Sequence, residues 1–378
     1  MDLGFTEIQQ MLKNSAQEFL SRECPLTMVR EMEEDPRGYT DELWRQMVAL
    51  GWTGVAFPEQ YGGTGGNFAD LSVLLEEIGR SLAPSPFIPT VVLGGMTVLD
   101  GGSDTQKDDL LSRICAGTLT MTMAVNEASA TYEPWGIEAS AQKQGGNYEI
   151  SGTKLFVPAA QAAQIIIVAA RTSSDQDPIN GVTLFLVPSE TAGLQITPMR
   201  SIGQEQVFEV ILDKVSVPED AVIGKVGEGW PIVERAIMRA TASQCIEMLG
   251  GAQAVLDMTV EYAKARTQFG RAIGSFQAVQ HHCARMATDV EGSKNIAYQA
   301  VWRLSEGLPA QREVAMAKAW IGPAYRRVCG TAHQCHGAIG FTKEHDLQLY
   351  TRRAKVHELT YGDANHHKEI ALQHIDDE

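Results

Sequence analysis

The sequence predicts an α+β protein with a helical domain first, a β-barrel or sandwich domain in the middle and a four-helix bundle last. Apolar residues recur at helical spacing in the first and last thirds of the chain. Between them, short runs rich in β-branched residues alternate with turn residues. Since 378 residues exceed one ordinary core, we expect three domains, at residues 1–117, 118–225 and 226–378.

The first domain is predicted to be helical because apolar residues form stripes three and four positions apart. One stripe consists of Ile8, Met11, Leu12 and Ala16, and another of Leu43, Met47, Val48 and Leu50. The glycines of PEQYGGTGG, residues 58–66, predict a loop between helices.

The middle domain is predicted from five β-rich runs between residues 119 and 217. They are LTMTMAV, NYEISGTKLFV, QIIIVAA, GVTLFLV and QVFEVIL. Strand-forming residues bounded by turn residues are typical of a small antiparallel domain.

The last domain returns to helical spacing, as in Phe276, Val279, Cys283, Met286 and Val290. Similar stripes begin at Leu249 and Val314, and Pro309 and Gly340 mark expected breaks between helices. With a final segment after Glu344, the pattern favours a four-helix bundle.

Composition excludes several classes of protein. With 31 basic and 47 acidic residues the net charge is −16, which disfavours a nucleic acid partner. The six cysteines form no CxxC pair and indicate neither a disulfide framework nor a zinc site. The first residues do not resemble a signal peptide, and the apolar run at 165–170 is too short to span a bilayer. We therefore expect a cytoplasmic protein without a membrane segment.

Two segments carry a resemblance to a known family. ARTQFGRAIGSFQAVQ, residues 265–280, closely resembles a signature of the acyl-CoA dehydrogenase family, and HQCHGAIGFTKEHDLQLYTRRAK, residues 333–355, resembles a second segment of it. PEQYGGTGG and ISGTKLF also stand where that family has counterparts. The resemblance spans nearly the whole chain.

The resemblance implies that the chain binds FAD. Arg266 would bind the pyrophosphate of an FAD held by a neighbouring subunit, since its guanidinium is a planar fork. Phe269 and Ile273 would cover the adenosine, with Gln268 and Gln277 hydrogen-bonding to it. The residues expected at the cofactor are Arg266, Gln268, Phe269, Ile273, Phe276, Gln277, Gln334, Gly337, Ala338, Asn126, Phe156, Asp363 and Asn365.

The family's reaction converts an acyl-CoA to a trans-2-enoyl-CoA and needs a base for the α-proton. The resemblance aligns Tyr361 with the usual catalytic glutamate, and a tyrosine with a pKa of ~10 is a poor base at neutral pH. Ala240 occupies the alternative base position of a minority of relatives. The remaining candidates for the catalytic residue are Glu247, two helical turns further along, and Asp363, although each is also typical of a structural polar residue.

Among the residues that the resemblance places beside the flavin ring, Asn126, Pro158 and Tyr361 differ from those usual in the family. Phe156 can still cover a flavin face. Three hypotheses therefore remain open. The chain is a complete dehydrogenase with a displaced carboxylate, one subunit of a heteromer whose sibling supplies the glutamate, or a flavin-free protein for assembly or acyl-CoA binding. The implied partners are an acyl-CoA, an electron-transferring flavoprotein and a homo- or hetero-tetramer. We expect no metal site at His366 and His367, because adjacent helical residues point apart.

Overall fold

A computed structural model describes residues 4–174 and 176–376 of the chain. Its N-terminal part is helical, as predicted. The helices are α1 (Glu7–Glu23), α2 (Leu26–Glu34), α3 (Asp41–Ala49), α4 (Phe68–Ser81), α5 (Met96–Gly101) and α6 (Asp104–Cys115). A π-helical segment, Pro89–Gly95, leads directly into α5.

Local sequence explains where several of these helices begin. Thr6 starts α1 with a capping box, because its side chain accepts a hydrogen bond from the Gln9 N–H while the Gln9 side chain accepts one from the Thr6 N–H. Asn67 and Asp70 do the same at α4. The apolar stripe predicted for α1 is only partly buried: Ala16 lies in the core, whereas Ile8 and Met11 are exposed.

The middle part is a mostly antiparallel sheet, which confirms the predicted β domain. Its strands are β1 (Met121–Ala124), β2 (Ser140–Gln144), β3 (Asn147–Pro158), β4 (Ile165–Arg171), β5 (Val182–Pro188), β6 (Leu194–Met199), β7 (Val207–Pro218) and β8 (Val222–Ile223). The strand order is β6-β7-β3-β2-β4-β5-β8, and β1 pairs in parallel with β4.

The pairing of β3 with β7 is interrupted between Lys154 and Val157, where the register shifts. Phe156 lies in this irregularity with a φ of 55°. A bulge re-aims a side chain locally, and the Phe156 side chain is 55% exposed.

The C-terminal part is the predicted helical bundle. Its helices are α7 (Trp230–Ala265), α8 (Gln277–Ser305), α9 (Gln311–His336), α10 (Leu347–Leu359) and the short α11 (Ala364–Gln373). Between α7 and α8 lies a two-stranded hairpin formed by β9 (Thr267–Gln268) and β10 (Arg271–Ala272). Pro309 falls between α8 and α9, and Gly340 lies in a 3₁₀ turn, Gly337–Phe341, that follows α9.

One hydrophobic core joins the N-terminal helices to the bundle, and a second core lies inside the β domain. Helices α4 and α7 approach so closely that a Cβ atom on Gly250 would lie 1.9 Å from the carbonyl oxygen of Glu76. A Cβ atom on Gly79 would lie 2.1 Å from the carbonyl oxygen of Glu247. The two glycines therefore fix the part of α7 that carries Glu247 against α4.

The backbone changes from helix to strand between Cys115 and Met121, and back to helix between Ile223 and Trp230. Across the described ranges, none of the helices combines the length and apolar character needed to cross a bilayer.

Candidate functional site

The segment between α7 and α8, residues 266–276, projects from the end of the bundle, and we call it the α7–α8 hairpin. Its turn is formed by Phe269 and Gly270, with φ angles of 52° and 80°. The Phe269 side chain is 91% exposed. A left-handed conformation costs a residue other than glycine roughly 1–2 kcal/mol, and exposing an aromatic ring has no stabilising effect. Both features indicate that this turn does not stabilise the subunit's own core and is suited to contact another molecule.

Two polar side chains of the α7–α8 hairpin, those of Arg266 and Gln268, lack protein partners in the part of the chain that the structure describes. Arg266 ends α7 and is exposed, and in residues 4–174 and 176–376 its guanidinium makes neither an ion pair nor a hydrogen bond. Gln268, also exposed, has a side-chain amide that is likewise without a hydrogen bond there. An arginine without a carboxylate neighbour, in so acidic a protein, is suited to bind an anion such as a diphosphate.

Aromatic packing shapes the rest of the hairpin. The Phe276 ring lies 6.1 Å from the Phe269 ring in an edge-to-face arrangement, and the Arg271 guanidinium lies 4.1 Å above the Phe276 ring. Ile273 is partly buried and Gln277 begins α8 with an exposed side chain. Arg271 is not among the predicted site residues, because its spacing of five residues from Phe276 is not a helical pattern.

A second segment leaves the same end of the bundle. Gln334, Gly337 and Ala338 are all exposed at or after the end of α9. The ring of His336 stacks on that of Tyr262 in α7 with a centroid distance of 4.4 Å. This contact holds the end of α9 beside the end of α7. Together with the α7–α8 hairpin, these exposed amides and backbone groups fit the diphosphate and ring of a dinucleotide.

A different set of predicted residues lies around Tyr361, which has a φ of 60°. Its backbone N–H donates to the hydroxyl of Tyr132 at 3.0 Å, and its carbonyl accepts from Nε2 of His367 at 2.8 Å. The rings of Tyr361 and Tyr132 are 5.9 Å apart. The side chain of Asn126 also lies close enough to the Tyr132 hydroxyl to act on its pKa, which burial raises and Asn126 partly lowers. The structure therefore brings Asn126 and Tyr361 together through Tyr132, a residue that no sequence motif identified.

Lys318 fixes the chain just before Tyr361. Its buried ammonium donates to the carbonyl oxygens of His357 and Thr360, both at 2.6 Å, and to Oε1 of Gln244 at 3.2 Å. Burial lowers the pKa of Lys318 to about 8. The last turn of α10 is thus held by a cation at its negative end.

The predicted flavin-ring residues of the β domain form one edge of this region. The Asn126 carbonyl accepts from the Leu155 N–H at 2.8 Å, which places Asn126 beside the irregular part of β3 that carries Phe156. The loop is anchored by a buried ion pair between Lys154 and Glu127 at 2.6 Å. Oδ1 of Asn126 is buried without a partner in the described part of the chain, so it can accept a hydrogen bond from a ligand.

Asp363 and Asn365 lie at the start of α11. The Asp363 carboxylate accepts hydrogen bonds from the backbone N–H groups of Asn365 and His366, both at 3.0 Å. These bonds, that from His366 first, lower the pKa of Asp363. A carboxylate engaged as a helix cap is a weaker base, which favours the structural interpretation of Asp363.

Glu247 is a partly buried residue of α7 and lines a small cavity. The other lining residues are Ile78, Gly79, Leu82, Ala83, Tyr325, Arg353 and His357. Burial raises the pKa of Glu247, and the nearby His357 and Arg353 partly oppose this rise. Burial also raises the pKa of Tyr361, with Tyr132 and Glu247 adding to the rise. Tyr361 therefore stays protonated at neutral pH, and Glu247 is the better placed of the two predicted carboxylates.

The predicted site residues thus fall into two groups. The first, at the end of the bundle, includes Arg266, Gln268, Phe269, Ile273, Phe276, Gln277, Gln334, Gly337 and Ala338. The second, around Tyr361, includes Asn126, Phe156, Glu247, Asp363 and Asn365. Among the residues that the structure describes, no hydrogen bond or ion pair joins the two groups. An exposed group of this kind is suited to complete the site of another subunit.

Comparison with protein families assigns all three parts of the chain. Residues 6–118 match the acyl-CoA dehydrogenase N-terminal domain, residues 122–215 the middle domain and residues 227–375 the C-terminal domain.

Individual proteins show the same similarity. The chain is 30% identical to a probable acyl-CoA dehydrogenase, YngJ, of Bacillus subtilis, over 96% of each chain. The structure of butyryl-CoA dehydrogenase from Megasphaera elsdenii is similar with a TM-score of 0.92 and 27% identity, covering 99% of this chain and 100% of that one. The ChsE4–ChsE5 complex from Mycobacterium tuberculosis contains a chain with a TM-score of 0.90 and 28% identity, and the coverage is 100% of both chains.

Proposed function

The chain belongs to the acyl-CoA dehydrogenase family of oxidoreductases, and from this premise we propose that it is a subunit of an FAD-dependent enzyme that desaturates an acyl-CoA thioester to a trans-2-enoyl-CoA. Its partners in this proposal are an acyl-CoA, an electron-transferring flavoprotein and other subunits of a tetramer.

The observation that carries the proposal is the α7–α8 hairpin. Arg266 is exposed there without an ion pair or a side-chain hydrogen bond in the described residues. Phe269 is 91% exposed and is held in a left-handed conformation. Arg266 would bind the diphosphate of FAD and Phe269 would cover its adenosine, in a site completed by a second subunit. Gln334, Gly337 and Ala338 would approach the diphosphate with exposed polar and backbone groups.

When bound, FAD supplies the acceptor for the hydride that leaves the β-carbon. The chain's own residues must then orient the acyl group and accept the α-proton. Glu247 is our candidate for the base, because its pKa is raised by burial and it lies near Tyr361. A raised carboxyl pKa brings the base closer to working pH. Tyr361, kept protonated by burial, would pack beside the acyl group and not remove its proton.

The test is flavin retention by the purified full-length chain. Wild-type protein should carry flavin absorbance that bleaches when acyl-CoA substrates are added. Arg266→Ala should lower the affinity for FAD by about 10-fold or more, since a charge-assisted hydrogen bond to an ionic group contributes roughly 1.5–3 kcal/mol.

The matched control is Arg113→Ala. The Arg113 side chain on α6 is 42% exposed, and among the described residues its one ion pair is with Asp109, one turn away at 3.4 Å. A surface contact of this kind is worth little. Equal flavin retention by Arg266→Ala and Arg113→Ala would contradict the assignment of Arg266.

A second candidate function is that of a partner subunit without its own base, in a heteromer whose sibling removes the proton. Tyr361 with Tyr132 packed against it favours this candidate, because a protonated tyrosine stands where the family keeps a glutamate. The similar ChsE4–ChsE5 structure is a complex of two proteins. Co-expression with a sibling dehydrogenase distinguishes the two: if the chain alone retains flavin and turns over acyl-CoA, and Glu247→Gln abolishes turnover, the heteromer is excluded.

A further inference from the structure

The cavity beside Glu247 has a volume of about 10 Å³, which is room for one water molecule. One wall consists of Ile78 and Gly79 from the end of α4 and of Leu82 and Ala83, which follow the helix, and it contributes no titratable side chain. The opposite walls contribute Glu247 from α7, Tyr325 from α9, and Arg353 and His357 from α10. The residues from these three helices therefore all carry polar side chains.

Two polar atoms of the cavity residues are unpartnered. Tyr325 is 1% exposed and His357 is 7% exposed. Neither the hydroxyl of Tyr325 nor Nδ1 of His357 has a hydrogen-bond partner in the described parts of the chain. Leaving a buried polar atom unpaired costs about 1–3 kcal/mol, so native proteins usually satisfy such atoms with protein groups or water.

Glu205 sets the orientation of the imidazole. Nε2 of His357 lies 2.8 Å from Oε1 of Glu205, and Nε of Arg353 lies 3.2 Å from the same oxygen. Burial by itself raises the pKa of Glu205, but His357 and Arg353 together lower it below the ordinary value. The carboxylate therefore stays charged and holds the N–H at Nε2, which leaves Nδ1 as the nitrogen free to accept a hydrogen bond.

We propose that the cavity holds one water molecule that joins Glu247 to Nδ1 of His357, so that Glu205, His357, the water and Glu247 form a proton relay. The water would have Glu247, the Tyr325 hydroxyl and Nδ1 as partners, which is the usual number for a buried water. This inference extends the proposed function, because it gives Glu247 a route by which it loses the proton it has accepted.

The transfer conserves protons and charge. The carboxyl proton of Glu247 passes to the water while the water gives one of its own protons to Nδ1. The Nε2–H bond to Glu205 stays in place, so the resulting imidazolium faces a carboxylate. Neighbouring titratable groups are Tyr361, Arg353, Tyr350 and Cys329, and burial raises the pKa of Tyr350. Of these groups, Arg353 is the permanent cation that limits the cost of an ionised Glu247.

A crystal structure and infrared titration of the full-length protein test the relay. The crystal structure should show an ordered water within hydrogen-bonding distance of Glu247, Tyr325 and His357. Infrared difference spectra should contain a protonated-carboxyl band that Glu247→Gln removes and thereby assigns. His357→Gln keeps a donor toward Glu205 but lacks Nδ1, and it should move the titration of this band upward by about one pH unit. Tyr325→Phe should remove the ordered water.

The matched control is Tyr350→Phe, which removes a buried hydroxyl that donates to the Arg80 carbonyl at 2.8 Å and is not among the cavity's lining residues. It should leave both the water and the titration unchanged. If no water is ordered in the cavity, or if His357→Gln and Tyr325→Phe both leave the titration of Glu247 unchanged, the relay is wrong. Neither readout needs FAD or substrate, so a protein with the water and the coupled titration but no acyl-CoA oxidation would contradict the proposed function and leave the relay standing.

Discussion

The α7–α8 hairpin and the interior around Tyr361 are both part of the helical bundle, yet their polar side chains differ in exposure and in hydrogen bonding. In the α7–α8 hairpin, Arg266 and Gln268 are exposed and make no side-chain hydrogen bond within the described residues. In the interior, the ammonium of Lys318 contacts Gln244, His357 and Thr360, and is 1% exposed. The hairpin is therefore free to bind a ligand, whereas Lys318 in the interior fixes the backbone before Tyr361.

The difference has an energetic consequence. An exposed side chain without partners can be removed at little cost to the folded state. A buried donor that serves several carbonyl groups cannot, because each acceptor left without a partner loses its hydrogen bond and stays away from water. Removing a polar side chain should therefore have little effect on stability in the α7–α8 hairpin and a large effect in the interior. The following variants are ordered from the largest expected effect to the smallest.

Lys318→Met should lower the free energy of unfolding by about 3 kcal/mol, because the carbonyls of His357, Glu358 and Thr360 lose their donor. Urea unfolding followed by circular dichroism measures this. The control is Lys264→Met, which removes an exposed pair with Glu261 and should cost less than about 0.5 kcal/mol. A loss below about 1 kcal/mol for Lys318→Met would show that the interior polar groups are not what holds the Tyr361 segment.

Glu77→Gln should change how stability depends on pH. Burial raises the pKa of Glu77 to about 7, with Lys13 opposing the rise. Between about pH 4.5 and pH 7 the folded protein keeps a proton that the unfolded chain releases, so wild-type stability falls as pH rises through this window. Glutamine does not titrate, and the variant should be more stable than wild type at pH 8 by roughly 2 kcal/mol.

The measurement for Glu77→Gln is the free energy of unfolding at pH 4.5 and at pH 8. Glu261→Gln, at an exposed position on α7, is the control and should leave the pH dependence of wild type unchanged. Parallel pH profiles for Glu77→Gln and wild type would mean that Glu77 is ionised in the folded protein at neutral pH.

Tyr132→Phe should cost about 1–2 kcal/mol, since it removes the hydroxyl that accepts a hydrogen bond from the Tyr361 N–H. Thermal unfolding monitored by tryptophan fluorescence is a suitable measurement. Tyr39→Phe, for which the structure describes no hydrogen bond of the hydroxyl within residues 4–174 and 176–376, should have a smaller effect. Equal effects of the two variants would leave Tyr132 without a special role at Tyr361.

Arg266→Ala should change the free energy of unfolding by less than about 0.5 kcal/mol, because the side chain is exposed and unpaired in the described structure. The same preparation should have lost affinity for FAD, and measuring both quantities on one sample separates a binding residue from a stabilising one. A large loss of stability would place Arg266 with the interior residues and remove the contrast between the two regions.

Much of the fold could be predicted from the sequence, because helical spacing and β-rich runs are local patterns. The stripes in α7, α8 and α9 predict the bundle, and Pro309 correctly marks the break between α8 and α9. The spacing does not show which part of a stripe is covered, and Ile8 and Met11 are exposed although they share the pattern of the buried Ala16. Which residues of a stripe are buried depends on how far a neighbouring helix extends over them, and this is decided only when the helices pack together.

The sequence by itself determined the family resemblance, the segment 265–280 with Arg266, and the tyrosine at position 361, because each is a local string of residues. Only the tertiary structure decided which groups surround that tyrosine. Tyr132 and Tyr361 are hydrogen-bonded although they are 229 positions apart in the sequence, and Glu205 and His357 although they are 152 apart. Such contacts follow from the packing of the β domain against the bundle, and the burial that shifts the pKa values of Glu247 and Tyr361 exists only once those parts have come together.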